Sequence, residues 1–445
     1  MGIDDEIPLS KNINLRGNIV SNIELLKFLD ADEIPHLAKQ YGTPLFVYDL
    51  PTIKKHYDYF SQLPNPYGLT VRYSVKANPT RAILSQFNKL GASFDVSSVW
   101  EARRCINAGI DAKKILITAQ EISSGWETLC EEGMEFDAGS LQQLKIYGEK
   151  FPGTSVSIRI NPGFGSGLVK KLTSGGSHSS FGLWFEQFDE AVALAKHYSL
   201  TIKRIHLHIG SGHDSEVLEK TVNRALELCF KVPSVTHLNL GGGYKITALN
   251  SDPHYDHHAM GTRINTSLEQ FQQETGRKLH LEVEPGTFSM ALAGSLITRV
   301  IDVVNTGTDG YRFIKINGGL TEIMRPSYYG ALHPLVVVKH NGMLETHDVC
   351  EQMVCGHCCI AGDSLTPVAG NTEDFTPVLL ARAEINDYLV IERTGGYAAS
   401  MSVKNFNSYP EAAEVCRVSK DTYHIVRERQ TLEQMTQNER DLPLI

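Results

Sequence analysis

Reactive side chains stand at the ends of several β-rich runs in this sequence, and Lys76 is the most informative of them. The run 71–76 alternates apolar and polar residues, and Asn78-Pro79 stops it before a helical pattern begins. An unprotonated lysine amine attacks carbonyl groups, and burial or a neighbouring positive charge lowers its pKa toward that form. Most lysines at strand ends are solvated surface charges, so the case for Lys76 depends on the residues around it.

Eight β-rich runs follow one another, and segments with the apolar spacing of helices separate them. The runs are 71–76, 94–98, 114–119, 135–138, 155–161, 204–209, 237–240 and 280–284. This alternation predicts an α/β fold, a TIM-type (β/α)8 barrel. Because such a barrel gathers its active site at the carboxyl ends of the strands, the residues that end these runs should meet there.

The pattern changes downstream of about Arg299. The runs 335–339, 348–354, 388–392 and 413–418 are β-rich, and no regular helical pattern separates them. They predict an appended antiparallel β domain. We expect the barrel over 50–298, the β domain over 299–426 together with parts of 1–49, and a polar tail over 427–445.

The ends of the other runs also carry polar or glycine residues. They are Asp95 and Ser97, Arg159 and Asn161, His206, His208 and Ser211, Gly241–Gly243, and Glu284–Gly286. The glycine segments follow strands seven and eight, where such barrels bind phosphate through backbone N–H groups. A Gly-Gly-Gly run alone is more often a tight turn. Combined with Lys76 and Glu284, it indicates pyridoxal phosphate, which bonds to a lysine and pairs its pyridine nitrogen with an acid.

Two segments also allow a metal-binding interpretation. His206 and His208 share a strand face and could be a zinc pair or hydrogen-bonded barrel histidines, but no motif supplies a third ligand. We favour His208 stacked on the cofactor ring. Cys355 and Cys358 form a C-x-x-C pair without a second such pair. We therefore expect no metal, and a thiol of this segment as a proton donor.

The composition favours small-molecule chemistry. The 445 residues carry a formal net charge of -9, with acidic and basic residues mixed along the chain, which offers no basic stripe for nucleic acid or membrane. Met1–Glu6 lacks the features of a signal peptide, and no run is long and apolar enough to span a bilayer. The eight cysteines are better interpreted as reduced thiols than as disulfides. We expect a cytoplasmic protein.

Ordered motifs along nearly the whole chain resemble those of the fold-type III pyridoxal-phosphate decarboxylases. They are Thr43–Asp49, Tyr73–Asn78, Arg159–Gly163, Ser180–Gly182, His206–Ser211, Gly241–Gly243, Glu284–Gly286, Arg325–Gly330, Cys358–Asp363 and Gly396–Ser402. So many matches in the same order make the resemblance highly specific.

The resemblance implies a role for each matched position. Lys76 becomes the Schiff-base lysine, Glu284 the partner of the pyridine nitrogen and His208 the ring-stacking residue. The other residues implied in cofactor binding are Asp95, Ser211, Gly243, Gly286 and Tyr397. Arg325 and Tyr329 would hold a substrate carboxylate. Cys359, a catalytic residue, and Tyr397 would reach into the active site of a partner subunit, which implies a homodimer with shared sites.

The reaction implied by the resemblance is decarboxylation of meso-diaminopimelate to L-lysine and CO2. Two positions depart from the commonest family pattern, since Thr287 replaces an arginine and Ile360 replaces an acidic residue. Another diamino acid, such as ornithine, lysine or a D-isomer, is therefore the alternative substrate. An amino-acid racemase is disfavoured because racemases of this fold pair the pyridine nitrogen with arginine. The presence of both Lys76 and Cys359 disfavours a non-catalytic homologue.

Overall fold

The computed structural model describes residues 23–167, 169–212 and 215–443. The segment Met1–Glu6, which we interpreted as lacking an export signal, lies outside the described residues, as does the end of the expected tail at 444–445. None of the helices within the described ranges has the length and apolar character needed to cross a membrane.

Strands make up two sheets in the described part of the chain. In chain order they are β1 Leu45–Asp49, β2 Leu69–Ser74, β3 Ser93–Val96, β4 Ile115–Ile117, β5 Glu135–Ala138, β6 Ser155–Asn161, β7 Leu183–Trp184, β8 Thr201–Leu207, β9 His237–Asn239, β10 His280–Val283, β11 Gly294–Asn305, β12 Arg312–Ile316, β13 Leu335–Val338, β14 Val349–Cys355, β15 Val378–Ala381, β16 Tyr388–Ile391, β17 Ala413–Ser419 and β18 Thr422–Arg427.

Helices connect and flank these strands. They are α1 Glu33–Tyr41, α2 Leu50–Ser61, α3 Arg81–Leu90, α4 Val99–Asn107, α5 Trp126–Glu131, α6 Leu141–Lys150, α7 Phe188–His197, α8 Ser215–Lys231, α9 His257–Thr275, α10 Gly286–Met290, α11 Arg325–Tyr329 and α12 Leu432–Thr436. The last of these lies in the segment that we expected to be a polar tail, and Thr431 and Gln434 form a capping box at its start.

One sheet closes into a barrel. The strands β2, β3, β4, β5, β6, β8, β9 and β10 pair in parallel in this order, and β10 pairs with β2 to complete the ring. The two-residue β7 pairs with β6 beside the ring. The predicted (β/α)8 barrel is confirmed, and each predicted run overlaps one barrel strand. Lys76 itself lies just beyond β2, in a single 3-10 turn over Val75–Ala77.

Serine caps fix two of the strand exits that carry polar residues. Ser98 precedes α4 and accepts the N–H of Glu101, and Ser140 precedes α6 and accepts the N–H of Gln143. Such a cap satisfies one of the N–H groups that a helix start leaves unpaired. Each cap thereby ends a short connection immediately after β3 or β5, so the chain leaves both strands in a defined direction.

The second sheet forms the appended β domain, and its pairing is mixed. Its order is β15-β14-β12-β11-β1-β17-β18, with β16 joined to both β11 and β13. Most pairs are antiparallel as predicted, but β1 with β17 and β12 with β14 are parallel. The amino-terminal strand β1 thus belongs to this sheet. The strand β11 was not predicted, and it runs across positions 298 and 299, where we expected the two domains to meet.

Ion pairs fill part of the barrel interior. Arg204 Nη2 donates to Glu135 Oε2 at 2.7 Å and to Glu282 Oε1 at 2.9 Å, while Arg72 Nε donates to Glu282 Oε2 at 3.0 Å. Burial alone would raise the pKa of Glu135, but the charges of Arg204 and Arg72 lower it to about 2. The buried charges are therefore stable because each has a partner of the opposite sign.

The charged residues of this layer have polar neighbours two positions further along their strands. The pairs are Glu135 with Asp137, Arg204 with His206, and Glu282 with Glu284. Alternate residues of a strand point to the same face of a sheet. The second member of each pair thus lies nearer the carboxyl end of the barrel, and the ion pairs form the layer beneath it.

We predict that Glu282→Gln lowers the free energy of unfolding by about 3 to 5 kcal/mol, because two buried guanidinium groups lose a shared carboxylate. Urea-induced unfolding followed by circular dichroism measures the change. Glu216→Gln is the matched control, since it removes the partner of Lys220 in an exposed ion pair and should leave the unfolding midpoint unchanged. Equal effects of the two substitutions would contradict a stabilising role for the interior layer.

Candidate active site

Lys76 lies at the mouth of the barrel, and its ammonium group is hydrogen-bonded to Asp95. Its Nζ donates to Asp95 Oδ2 at 3.0 Å. Asp95 is fully enclosed on β3, whereas 41% of the Lys76 side chain is exposed. The lysine is therefore within reach of a ligand, while its counter-ion is held in place by the protein.

The electrostatic surroundings of Lys76 differ from our expectation. Burial lowers the pKa of Lys76, but the neighbouring Asp95, Tyr397 and Glu284 outweigh burial and raise it above the ordinary lysine value. The expected lowering of this pKa is wrong for this arrangement, because the lysine has acidic partners rather than a positive neighbour. Asp95 thus keeps Lys76 as an oriented ammonium ion.

A chain of buried polar side chains crosses the barrel mouth. His206 Nδ1 lies 2.7 Å from Asp137 Oδ2, and His206 Nε2 lies 3.6 Å from Glu284 Oε2. Asn239 Nδ2 donates to Glu284 Oε1 at 2.7 Å, and Thr118 Oγ1 donates to Asp137 Oδ2 at 3.1 Å. These contacts fix the Glu284 carboxylate and leave it little freedom to rotate.

The buried acids of the site influence one another and the basic groups beside them. Burial and the charge of Asp95 raise the pKa of Glu284. Burial lowers the pKa of His206, but Glu284 and Asp137 outweigh it and raise that pKa overall. Three carboxyl groups thus share the barrel mouth with one lysine, one histidine and Arg159, whose charge acts on all three acids. A ligand with a protonated nitrogen would stabilise the ionised form of Glu284.

Glycines keep side chains away from one side of the mouth. Gly241 and Gly243, after β9, have φ values of 67° and 105°, which favour glycine. A Cβ at Gly242 would lie 2.5 Å from the Glu284 carbonyl oxygen, and a Cβ at Gly286 would lie 2.5 Å from the Tyr397 hydroxyl. Both glycines are therefore packed against other protein atoms and leave no room for a side chain.

His208 and Ser211 follow β8 on the same rim. The Gly242 N–H donates to His208 Nδ1 at 3.2 Å, which fixes the imidazole against the glycine turn. The Ser211 backbone N–H donates to the Leu172 carbonyl oxygen at 3.2 Å, and the serine is exposed. The structure thus places His208 against the glycine turn, whereas Ser211 contacts the segment that contains Leu172.

Tyr397 lies in the site of its own chain. Its backbone N–H donates to the Ala77 carbonyl oxygen at 2.8 Å, and its hydroxyl occupies the space beside Gly286. Its φ of 57° is uncommon for a residue with a side chain. The expectation that Tyr397 reaches into a partner subunit is wrong, because the segment after β16 returns to the turn that carries Lys76.

Arg325 and Tyr329 are the first and last residues of α11. The Arg325 guanidinium lies 5.9 Å from the centre of the Tyr329 ring. Burial lowers the pKa of Arg325, although the neighbouring Tyr397 and Tyr329 raise it. Within the described part of the chain, the neighbours that counter the effect of burial on Arg325 are Tyr397 and Tyr329, and neither is a carboxylate. Arg325 is therefore a partly buried cation suited to an acidic ligand.

Cys359 stands in an exposed loop after β14. Its backbone N–H donates to Asn407 Oδ1 at 2.8 Å. For the residues that the structure describes, Cys359 makes no hydrogen bond with the side chains at its own barrel mouth. Across those same residues, no cluster of three or more His, Cys, Asp and Glu side chains is arranged to hold a metal ion.

Asp137, Asn239 and Thr118 were not among the site residues predicted from the sequence. Asp137 and Asn239 lie within β5 and β9 rather than after them, and we considered only the residues that end some of the runs. A detectable signal was present, since Asp137 stands between the apolar residues Phe136 and Ala138 in a predicted strand. When two polar residues of such a run share one face of the strand, that face is predicted to point into the barrel interior.

The residues present fit pyridoxal phosphate. Lys76 is accessible, Glu284 is buried with a carboxylate that a pyridinium nitrogen would stabilise, and the glycine turn beside His208 presents backbone without side chains. His206 Nε2 is also buried without a hydrogen-bond partner among the described residues. These features suit a flat, anionic cofactor with one protonated ring nitrogen.

Comparisons with known proteins agree with this geometry. Residues 51–291 match the family model described as pyridoxal-dependent decarboxylase, pyridoxal binding domain. The chain is 32% identical to the diaminopimelate decarboxylase of Streptomyces coelicolor, over 92% of this chain and 91% of that protein. It is 30% identical to the diaminopimelate decarboxylase of Escherichia coli strain K12, over 92% and 96% of the two chains. A crystal structure of diaminopimelate decarboxylase matches with a TM-score of 0.85 and 30% identity, covering 92% of this chain and 96% of that one.

The family match covers more than half of the chain, and the relatives match almost its full length. The expected cofactor and reaction class are confirmed. The chain belongs to the pyridoxal-dependent decarboxylases and is an enzyme that uses pyridoxal phosphate to decarboxylate an amino acid.

Proposed function

We propose that this enzyme converts meso-diaminopimelate to L-lysine and CO2. The observation that carries the proposal is Arg325, a partly buried guanidinium without an acidic partner among the described residues, close to Tyr397 and Tyr329. The relatives named diaminopimelate decarboxylase, at 30% identity or more, support the same substrate.

Diaminopimelate carries a carboxylate and an ammonium group at each end. The carboxylate that leaves must be held near Lys76, so the distal carboxylate needs a separate cation. Arg325 can bind it through two parallel N–H groups, and the Tyr329 hydroxyl, at the other end of α11, can add a hydrogen bond. A substrate such as lysine lacks the distal carboxylate and would leave Arg325 unpaired.

Pyridoxal phosphate supplies an electron sink for the electron pair that remains when CO2 departs. Lys76 would hold its aldehyde carbon, and Asp95 orients this lysine. Glu284, fixed by His206 and Asn239, would hold the protonated pyridine nitrogen. The remaining cofactor contacts are assigned to His208 on the ring face and to Ser211, Gly243, Gly286 and Tyr397 around the phosphate.

The carbon that loses CO2 must then receive a proton. We assign this step to the Cys359 thiol of a second copy of the chain, in a homodimer with shared active sites. Two observations support the assignment: Cys359 is exposed, and the neighbouring Ile360 is 51% exposed although it is apolar. A second copy that covers this loop would bury the isoleucine and enclose the thiol.

A decarboxylase of ornithine or lysine is the second candidate, because Ile360 departs from the family pattern at the substrate's far end. It offers no acceptor to the distal ammonium group that diaminopimelate, lysine and ornithine all carry, and a lost hydrogen bond to a charged group costs about 1.5 to 3 kcal/mol. This is about a tenfold to hundredfold loss of affinity for each of the three, so it does not exclude diaminopimelate. Selectivity then depends mainly on Arg325.

We place the enzyme in the cytoplasm. All eight cysteines of the chain lie in described ranges and are free thiols. Free thiols persist in reducing compartments, whereas exported proteins commonly pair them.

Lys76→Ala should abolish both the visible absorption of the bound cofactor and the release of CO2 from diaminopimelate, because the covalent attachment point is lost. Absorption spectra and CO2 assays on the purified protein measure the two effects. Lys89→Ala, at the exposed end of α3, is the control and should retain both. Full turnover in the Lys76 variant would exclude its assigned role.

Arg325→Ala should lower kcat/KM for diaminopimelate by about tenfold to a hundredfold, with little change for lysine or ornithine, because only diaminopimelate has a second carboxylate. Arg299→Ala, which removes an exposed arginine bonded to Asn386, is the control. A wild-type enzyme that decarboxylates lysine or ornithine and leaves diaminopimelate untouched would instead establish the second candidate.

Mixing Lys76→Ala subunits with Cys359→Ala subunits should restore activity, because each hybrid dimer then contains one site with both residues intact. Subunit exchange is verified by mass spectrometry of the intact dimers, and CO2 release is measured before and after exchange. Verified exchange without any recovery would argue that Lys76 and Cys359 do not act in one shared site.

A further inference from the structure

We propose that Asn407 positions Cys359 for its reaction in the neighbouring subunit. The Cys359 N–H donates to Asn407 Oδ1 at 2.8 Å, and this bond joins the cysteine loop to a segment that comes 48 residues later in the sequence. The inference rests on the proposed role of Cys359 and extends it by naming the residue that determines where the thiol stands.

The loop around Cys359 is fixed from the inside by Asp363. The Cys358 N–H donates to Asp363 Oδ2 and the Leu320 N–H to Asp363 Oδ1, both at 2.9 Å. The Gly356 N–H donates to the Asp363 carbonyl oxygen, also at 2.9 Å. A Cβ at Gly356 would lie 2.2 Å from the Asp363 carboxylate, so this packing requires glycine. The Asp363 N–H also donates to the Ile360 carbonyl oxygen at 3.2 Å, whereas the N–H of Cys359 itself is held from outside, by Asn407.

Asn407 adopts a backbone conformation that is unfavourable for most residues. Its φ is 53° and its ψ is 24°, and Asn405 and Ser408 on either side also have positive φ values of 59° and 60°. Asparagine is one of the few residues with a side chain that tolerates this region. Such strain is typical of functional sites, where the surrounding structure enforces one geometry. Here that geometry directs the amide oxygen toward Cys359.

The bond between Cys359 and Asn407 contributes little to the stability of a single chain. Both residues are exposed, so water competes for the donor and the acceptor. A strained segment that holds an exposed hydrogen bond is better explained by the position that the bond gives to the thiol. A second copy that covers Cys359 and Ile360 would also exclude water from this bond.

The segment that carries Asn407 is itself well supported. It begins at the Lys76 turn, where Ser400 Oγ and the Tyr397 N–H both donate to the Ala77 carbonyl oxygen. It ends at Tyr409, whose ring stacks on His357 with centroids 3.7 Å apart and planes 10° from parallel. Asn407 therefore stands on a fixed base, and its contact with Cys359 can define a position for the thiol.

Three substitutions separate the hydrogen bond from the backbone strain. Asn407→Asp keeps an oxygen acceptor and tolerates the positive φ, so it should retain kcat. Asn407→Gly relieves the strain but removes the acceptor, and kcat should fall about tenfold to a hundredfold with KM nearly unchanged, since a small displacement of a reacting group has effects of this size. Asn407→Ala should lose kcat as well.

Asn386→Gly is the matched control. Asn386 also has a positive φ, of 76°, and its side-chain oxygen accepts a bond from Arg299 rather than from the cysteine loop. This variant should retain kcat. The proposal would be overturned if Asn386→Gly lowered kcat as much as Asn407→Gly does. Full kcat in both Asn407→Gly and Asn407→Ala would overturn it as well.

Hybrid dimers test whether Asn407 acts across the interface. Asn407→Gly subunits exchanged with Lys76→Ala subunits form one site with Lys76 from the first chain and an intact Asn407–Cys359 pair from the second. That site should turn over at the wild-type rate. The Lys76→Ala and Cys359→Ala mixture serves as the reference. If activity recovers in the reference mixture alone, the role of Asn407 is overturned. If activity recovers in neither mixture, both the shared site and this inference are overturned.

Discussion

Buried charge is the constraint on which the rest of this structure depends. TIM barrels usually fill their interior with branched apolar side chains, but here Arg72, Arg204 and Glu282 occupy it. A charge removed from water must be paired, and a strand repeats its inward-facing position every second residue. The ion pairs of one layer therefore lie directly beneath the layer that contains His206 and Glu284, which limits how far these two side chains can move.

The same constraint explains the chemistry at the barrel mouth. Asp95, Asp137 and Glu284 are enclosed, and Lys76, His206 and Arg159 are their basic neighbours. Burial raises the pKa of Glu284 in the chain by itself, and a protonated ring nitrogen that enters would stabilise its ionised form. Electrostatic preorganisation of this kind requires no rearrangement at the moment of reaction. It also explains why Lys76 is held as an ammonium ion rather than as a free amine.

Local pattern was sufficient to predict most of the barrel and many site residues. Alternation of apolar and polar residues is a property of a few neighbouring positions, so the barrel strands, Lys76, His208 and Glu284 could be placed from the sequence. Contacts between distant segments could not be predicted from local pattern. The Tyr397 N–H donates to the Ala77 carbonyl oxygen, although more than 300 residues separate the two in the sequence. No local pattern distinguishes this contact from one made with another subunit. The parallel pairing of β1 with β17 could not be predicted for the same reason.

The long strand β11 has a consequence for the separation of the two domains. Its twelve residues run from the barrel side into the β domain, where β1, β12 and β16 all pair with it. A polypeptide that ended at residue 298 would keep only the first five residues of the strand and would expose unpaired backbone groups at the break. Chimaeras that exchange the barrel or the β domain between relatives should therefore transfer β11 intact, together with the strand β1 that pairs with its first half.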